Sequence, residues 1–167
     1  MLASAPLIRE PRPDDVEDLA AVHVHGWRDT YGHLLPERFY GAEALEQRRR
    51  QWTEWTRSAE NPAPGRCLRV AELEDRVIGV AFSGPSVGDD ALRKTELYMI
   101  YVLTAHHGTG AGQALLDAVL DDRPAQLWVA ENNPRAHAFY RRNGFALSGI
   151  RRVDAELNDL AEVRLVR

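Results

Sequence analysis

His107-Gly108-Thr109-Gly110-Ala111-Gly112-Gln113 stands between an apolar run ending at Leu103 and a helical stripe of Leu115, Leu116, Val119 and Leu120, so a glycine-dense turn joins a strand to a helix. Glycine lets the backbone turn sharply and turns unpaired N–H groups outward, and a helix N-terminus adds a field that favours negative charge. The segment is therefore a cradle for an anion. A nucleoside-triphosphate loop would close with Gly-Lys-Ser or Gly-Lys-Thr, which this stretch lacks. The dinucleotide fingerprint fails as well: counted from Gly108 its third glycine position holds Gln113, and counted from Gly110 it holds Leu115.

Working outward, the remaining chain reads as elements of one layered domain. Leu7-Ile8-Arg9 is a short first strand, and Pro13-Asp14-Asp15 offers capping chemistry to a helix with apolar positions at Val16, Leu19, Ala20, Val22 and Val24. Glu43 to about Arg57 forms a second helix, with Leu45, Trp52 and Trp55 on neighbouring turns and Arg48-Arg49-Arg50 directed to water. A loop follows from Ser58 to Gly65, where Asn61, Pro62, Pro64 and Gly65 cluster. Cys67 to Leu73 and Val77 to Phe82 are apolar strands joined through Glu74-Asp75 as an antiparallel hairpin, and a third strand runs from about Thr95 to Leu103. The helix beginning near Thr109 stops at Arg123-Pro124; Gln126 to Ala130 is a strand, Pro134 to Arg142 a helix closed by Asn143-Gly144, and Phe145 to Val153 and Glu162 to Val166 are the last strands. This order predicts a single α+β domain over residues 1–167. Its mixed, mostly antiparallel twisted sheet has about six to seven strands flanked by about four helices, with a parallel crossover at the centre.

The 167 residues suffice for a real core. A hydrophobic fraction of 44% with 28% charged residues is that of a globular protein, and no apolar run approaches the ~18 residues of a membrane span. Arg9 and Glu10 arrive before an apolar run of signal-peptide length can form after Met1-Leu2-Ala3-Ser4, so a cytoplasmic location is expected. The single cysteine, Cys67, reads as a small core residue. A formal charge of −4 disfavours nucleic acid and suits a cationic small substrate. Exposed sheet edges and the apolar run Val163-Arg164-Leu165-Val166 leave room for a homodimer.

Twenty-one residues beyond Gly112 comes Asn133-Pro134-Arg135-Ala136-His137-Ala138-Phe139-Tyr140-Arg141-Arg142-Asn143-Gly144-Phe145. The glycine turn and this segment together resemble the two acetyl-CoA motifs of the GCN5-related N-acetyltransferase (GNAT) family: a Gln/Arg-x-x-Gly-x-Gly/Ala turn and a later Asn-x-x-Ala-x-x-Phe-Tyr-x-x-x-Gly-Phe helix. His107 departs from the Gln or Arg usual at its position. The resemblance implies acetyl-CoA as co-substrate, no metal, and transfer of acetyl to a primary amine of a small molecule or peptide. It also implies that backbone groups of Ile100, Tyr101 and Val102 pair with the pantetheine arm, that the pyrophosphate sits on His107, Gly108, Thr109, Gly110, Ala111, Gly112 and Gln113, and that Asn133 and Ala136 meet the arm. Arg135, Arg141 or Arg142 would face the 3′-phosphate or else water. A protein that retains the coenzyme site without turnover, as a sensor or interaction module, is the alternative.

Acyl transfer to an amine needs a neutral nitrogen, a stabilised oxyanion and a proton for the departing thiolate. Tyr140 stands at the family's acid position, and a tyrosine of ordinary pKa near ~10 is protonated at neutral pH. Glu96 stands at the offset where the histone-type branch has its base, and strict alternation would put it on one face with Tyr98, Ile100 and Val102. It takes the proton directly or through water, or else serves as a salt-bridge or capping residue. The branch acting on protein N-termini has a glutamate five residues before the motif asparagine, where this chain has Trp128, read here as packing on the sheet. His23, His25, Trp27, Tyr31 and His33 lie on the first helix and its following turn. No carboxylate or cysteine completes a zinc spacing with them. Trp27 and Tyr31 are expected to line the acceptor pocket, because aromatic faces receive ammonium groups well. Trp52 and Trp55 either close that pocket or belong to the core.

Overall fold

Glu74 and Asp75 both take left-handed backbone angles, with φ of 51° and 60°, and so form the tight reversal expected between β2 (Cys67–Leu73) and β3 (Arg76–Pro85). The computed structural model describes residues 5–59 and 62–167; Met1 to Ser4 of the N-terminal reading and Asn61 of the loop reading lie outside them. The other strands are β1 (Leu7–Arg9), β4 (Thr95–Val102), β5 (Gln126–Ala130), β6 (Ala146–Asp154) and β7 (Leu160–Val166). They form one seven-stranded sheet in the order β1-β2-β3-β4-β5-β7-β6, antiparallel except between β4 and β5. Four helices flank it: α1 (Val16–Tyr31), α2 (Ala42–Ala59), α3 (Ala111–Leu120) and α4 (Pro134–Arg142). Among the described residues no helix is long and apolar enough to cross a membrane.

Each sheet face has its own core. On one, Leu115, Leu116, Val119 and Leu120 of α3 and Tyr140 of α4 pack with Leu127, Val129, Phe145 and Leu165. On the other, Leu19, Ala20 and Val22 of α1 and Trp52 of α2 pack with Val70, Val77 and Val80. Both helix stripes follow the 3.6-residue period. Cys67 is half-buried against the α3 core, with its sulfur 3.7 Å from the Ala118 carbonyl oxygen.

Three local expectations are corrected. Asp15 does not cap α1; its Oδ2 accepts the Arg12 amide at 2.6 Å, and it pairs with Arg9 at 2.7 Å, so it closes the 3-10 turn Pro13–Asp15 and ties it to β1. Arg48 does not turn to water with Arg49 and Arg50 but lies over the Trp27 ring, 5.4 Å from its centroid. The alternation along β4 is broken. Phe82 faces Met99 while Ser83 faces Leu97, which leaves Tyr98 as the extra residue of a β-bulge. Leu97, Ile100 and Val102 consequently share the α3 core, whereas Met99 and Tyr101 face α1 and α2. Glu96, opposite Gly84 and one residue before Leu97, is thereby on the α1 and α2 side and not with Ile100 and Val102.

His23 is buried beneath this second layer, its ring stacked on Tyr101 at 5.3 Å and edge-on to Trp52 at 5.9 Å. Burial, with a smaller contribution from Arg48, pushes its pKa down to about 3. The unfolded chain takes up that proton near ~6.5 while the folded chain refuses it. Stability from this source is therefore complete above that value and is lost as pH falls towards the depressed one. Urea unfolding of the parent protein is expected to weaken by about 1.4 kcal/mol per pH unit between roughly pH 6 and 4. His23→Phe should flatten that slope whatever its baseline stability; equal slopes in the two proteins would refute the assignment.

Candidate active site

Strands β4 and β5 pair only at Glu96 with Gln126 and Leu97 with Leu127, and from Tyr98 and Trp128 onward they diverge. The opening between them continues into a cavity of about 890 Å³. Because β4 and β5 are the sheet's one parallel pair, with α3 crossing over between them, the gap lies where two strand ends and a helix N-terminus meet.

At one end of the cavity is the glycine turn. Gly108 and Gly110 have φ of 82° and 88°, a region that costs other residues roughly 1–2 kcal/mol. A Cβ built on either would meet nothing within 4 Å, so the space beside the turn is open. The first amides of α3 have no carbonyl partner within their own helix. The cavity is lined here by His107, Gly108, Gly110, Gly112 and Gln113. Thr109 and Ala111 brace the turn instead: Thr109 Oγ1 donates to the His106 carbonyl at 2.8 Å and accepts the Ala111 amide at 3.4 Å, while Ala111 packs in the core. His107 Nε2 lies 2.9 Å from the Val102 carbonyl oxygen, which can only accept, so that nitrogen carries the proton. Burial lowers the His107 pKa and favours the neutral ring. The histidine thus fastens the turn to the end of β4.

Ile100, Tyr101 and Val102 follow along the β4 side of the gap. Across it, Asn133 caps α4, its Oδ1 accepting the Ala136 amide at 3.1 Å, and both residues line the cavity. Arg135 and Arg142 also line it and Arg141 does not.

Tyr140 comes from the α3 and α4 side, held edge-on between Phe139 at 5.4 Å and Phe145 at 5.7 Å. It is 8% exposed, and no described residue hydrogen-bonds its hydroxyl. Burial raises its pKa well above the ordinary tyrosine value, with the neighbouring Tyr101 adding to the effect. Tyr101, on the opposite sheet face, is likewise pushed up by burial to about 12. The splayed strands therefore let side chains from both faces see one another through the sheet.

On the α1 side Trp27 and Tyr31 line the cavity, their rings edge-on at 5.4 Å. His33 joins them. His23 stays behind Tyr101, and Trp52 and Trp55 pack against each other at 5.0 Å outside the lining. Gly26 permits this arrangement, since a Cβ there would come within 2.7 Å of the Tyr101 ring. Trp128 differs from expectation. It lines the cavity, with the Arg152 guanidinium 4.1 Å and that of Arg164 4.6 Å from its ring centroid.

Glu96 is 9% exposed and its Oε2 accepts a hydrogen bond from Gln126 Nε2 at 2.7 Å. The Gln126 side-chain oxygen Oε1 in turn accepts the Leu92 and Arg93 amides at 2.8 and 3.1 Å. Glu96 does not itself line the cavity; the next two residues, Leu97 and Tyr98, do. Two carboxylates that the sequence alone does not mark line it: Asp29 of α1, whose Oδ2 accepts from Thr104 Oγ1, and Glu162. Glu162 of β7, 8% exposed, pairs with Arg152 Nε at 2.7 Å through Oε2.

The model of the acetyltransferase (GNAT) family matches residues 27–145. The chain is 30% identical to YuaI, an uncharacterised N-acetyltransferase of Bacillus subtilis (strain 168), over 86% of this chain and 87% of the relative. Among solved structures, the PaiA N-acetyltransferase of Thermoplasma acidophilum in complex with coenzyme A superimposes with a TM-score of 0.73 at 18% identity, covering 96% of this chain and 98% of that one. A ribosomal-protein-alanine N-acetyltransferase from Brucella melitensis does so with a TM-score of 0.70 at 24% identity, covering 96% and 98%. These two likenesses are of fold.

Proposed function

Since this chain belongs to the acetyltransferase (GNAT) family, we propose that it transfers acetyl from acetyl-CoA directly to a primary amine of a small molecule or peptide, with Tyr140 as the acid and Glu96 as the base. The observation that carries this reading is the gap beyond Leu97, which brings the Tyr140 hydroxyl from one sheet face towards the aromatic pocket of α1 on the other. When bound, the coenzyme supplies an activated acyl group and an anionic diphosphate.

The residues present fit such a group. The open space beside Gly108 and Gly110 would admit the diphosphate to the amides of Gly108, Gly110, Gly112 and Gln113, in the field of the α3 N-terminus. Thr109 and Ala111 hold that turn in shape, and His107 fixes it to β4. The β4 edge at Ile100 and Tyr101 would receive an extended arm as an added strand, with Asn133 and Ala136 opposite. Arg135 and Arg142 supply positive charge beside this groove.

The acceptor would enter from the α1 side, between Trp27 and Tyr31. Glu96 takes the amine proton through water, because Glu96 does not itself line the cavity. Tyr140, kept protonated by burial, gives a proton to the departing sulfur. The test is to add amines to protein and acetyl-CoA while following free thiol. Amine-dependent thiol release is expected; coenzyme binding without release on any amine would instead favour the sensor reading, and no coenzyme binding at all would remove both.

A further inference from the structure

Glu162 sits at a place the reaction above leaves unused. Its side chain is 10% exposed, and only Oε2 is committed, to Arg152. The Arg152 guanidinium is stacked on Trp128 and so held to one side of the carboxylate, and no described residue bonds Oε1. Around the same cavity stand Trp27, Tyr31, Tyr101 and Trp128. The Trp27 Nε1 is buried beside the Tyr101 hydroxyl, and no described residue bonds the hydroxyl of Tyr31. The phenols of both tyrosines sense the Glu162 charge, which adds to the upward shift that burial gives each of them.

A mostly buried carboxylate with one oxygen open to a cavity suits a charged donor, and aromatic faces around it attract the same kind of donor. We infer that Glu162 Oε1 is the counter-ion for the acceptor, which enters as an alkylammonium whose carbon chain lies against Trp27, Tyr31 and Trp128. The inference rests on the proposed acetyl transfer and names the substrate class of that same site: aliphatic primary amines that are cationic at neutral pH, in preference to arylamines that are neutral there. Binding by Glu162 is separate from proton removal, which stays with Glu96.

The experiment measures quenching of tryptophan fluorescence by a set of alkylammonium and arylamine ligands, using protein loaded with CoA and not acetyl-CoA, so that binding is read without turnover. The parent protein is expected to bind the alkylammonium ligands more tightly than the arylamines. In Glu162→Gln alkylammonium affinity should fall roughly ten- to hundredfold, the range of a lost charge-assisted bond. Arylamine and CoA affinities should stay unchanged, and Glu162→Asp should recover part of the loss. Tighter binding of arylamines by the parent, or equal alkylammonium affinity in parent and Gln variant, would overturn the inference. The parent measurement does not depend on any variant folding. Failure of thiol release with normal alkylammonium binding would count against the proposed transfer and leave this inference standing.

Discussion

Tyr140→Phe is expected to lower kcat by about 10²- to 10⁴-fold, the usual range for a lost general acid, while CoA affinity stays as it was. The substitution removes one oxygen and keeps the ring that packs edge-on with Phe139 and Phe145. No described residue bonds that oxygen, so its loss strands no partner and the fold should be unaffected. A departing thiolate left to collect its proton from water would slow each turnover without weakening the grip of the α3 turn on the diphosphate. Burial raises the Tyr140 pKa, so the hydroxyl stays protonated across the neutral range and beyond the ordinary tyrosine value near ~10. The parent kcat should therefore show no alkaline decline below that value. Steady-state thiol release and calorimetric titration with CoA separate the two quantities; unchanged kcat would take Tyr140 out of the mechanism.

The element order and the layer arrangement were legible because each rests on local chemistry. Glu74-Asp75 marks a reversal, the Leu115 to Leu120 stripe marks a one-sided helix, and Asn133-Pro134 marks a helix start, which the Asn133 cap realises. The glycine turn was legible for the same reason, and Gly108 and Gly110 take the positive φ it calls for. What alternation could not supply was the bulge at Tyr98, since an added residue in a strand leaves no trace in a pattern of period two. Its consequence is large, because it decides which sheet face Glu96 occupies. Glu162 and Arg164 were passed over because they alternate with Val163 and Leu165, the pattern of a strand with one solvated face. That face is covered here. Glu162 is 8% and Arg164 2% exposed, under Trp128, Arg152 and the loop carrying Asp90, whose carboxylate pairs with Arg164 at 2.6 Å. The usable signal was the pairing of a tryptophan on one strand with an arginine on the next, which only the register of β5 on β7 brings opposite each other.

The bulge also makes Glu96→Gln the sharpest probe of the base. By turning Glu96 to the side of Met99 and Tyr101, it puts the carboxylate on the face from which the α1 pocket is built. A glutamine at this position keeps an oxygen that can accept from Gln126 Nε2, so the bond at 2.7 Å and the anchoring of the Leu92 and Arg93 amides through Gln126 both persist. A purely structural Glu96 would thus lose little on becoming glutamine. A base would lose nearly everything, because an amide cannot take up the amine proton, and kcat is expected to fall by about 10²- to 10⁴-fold. Measuring kcat at saturating amine keeps acceptor binding out of the comparison, since kcat reports groups in the bound complex. Should kcat be little changed in Glu96→Gln, Glu96 would be the post that holds Gln126 and the β3 to β4 connection in place, and the proton would leave by another route.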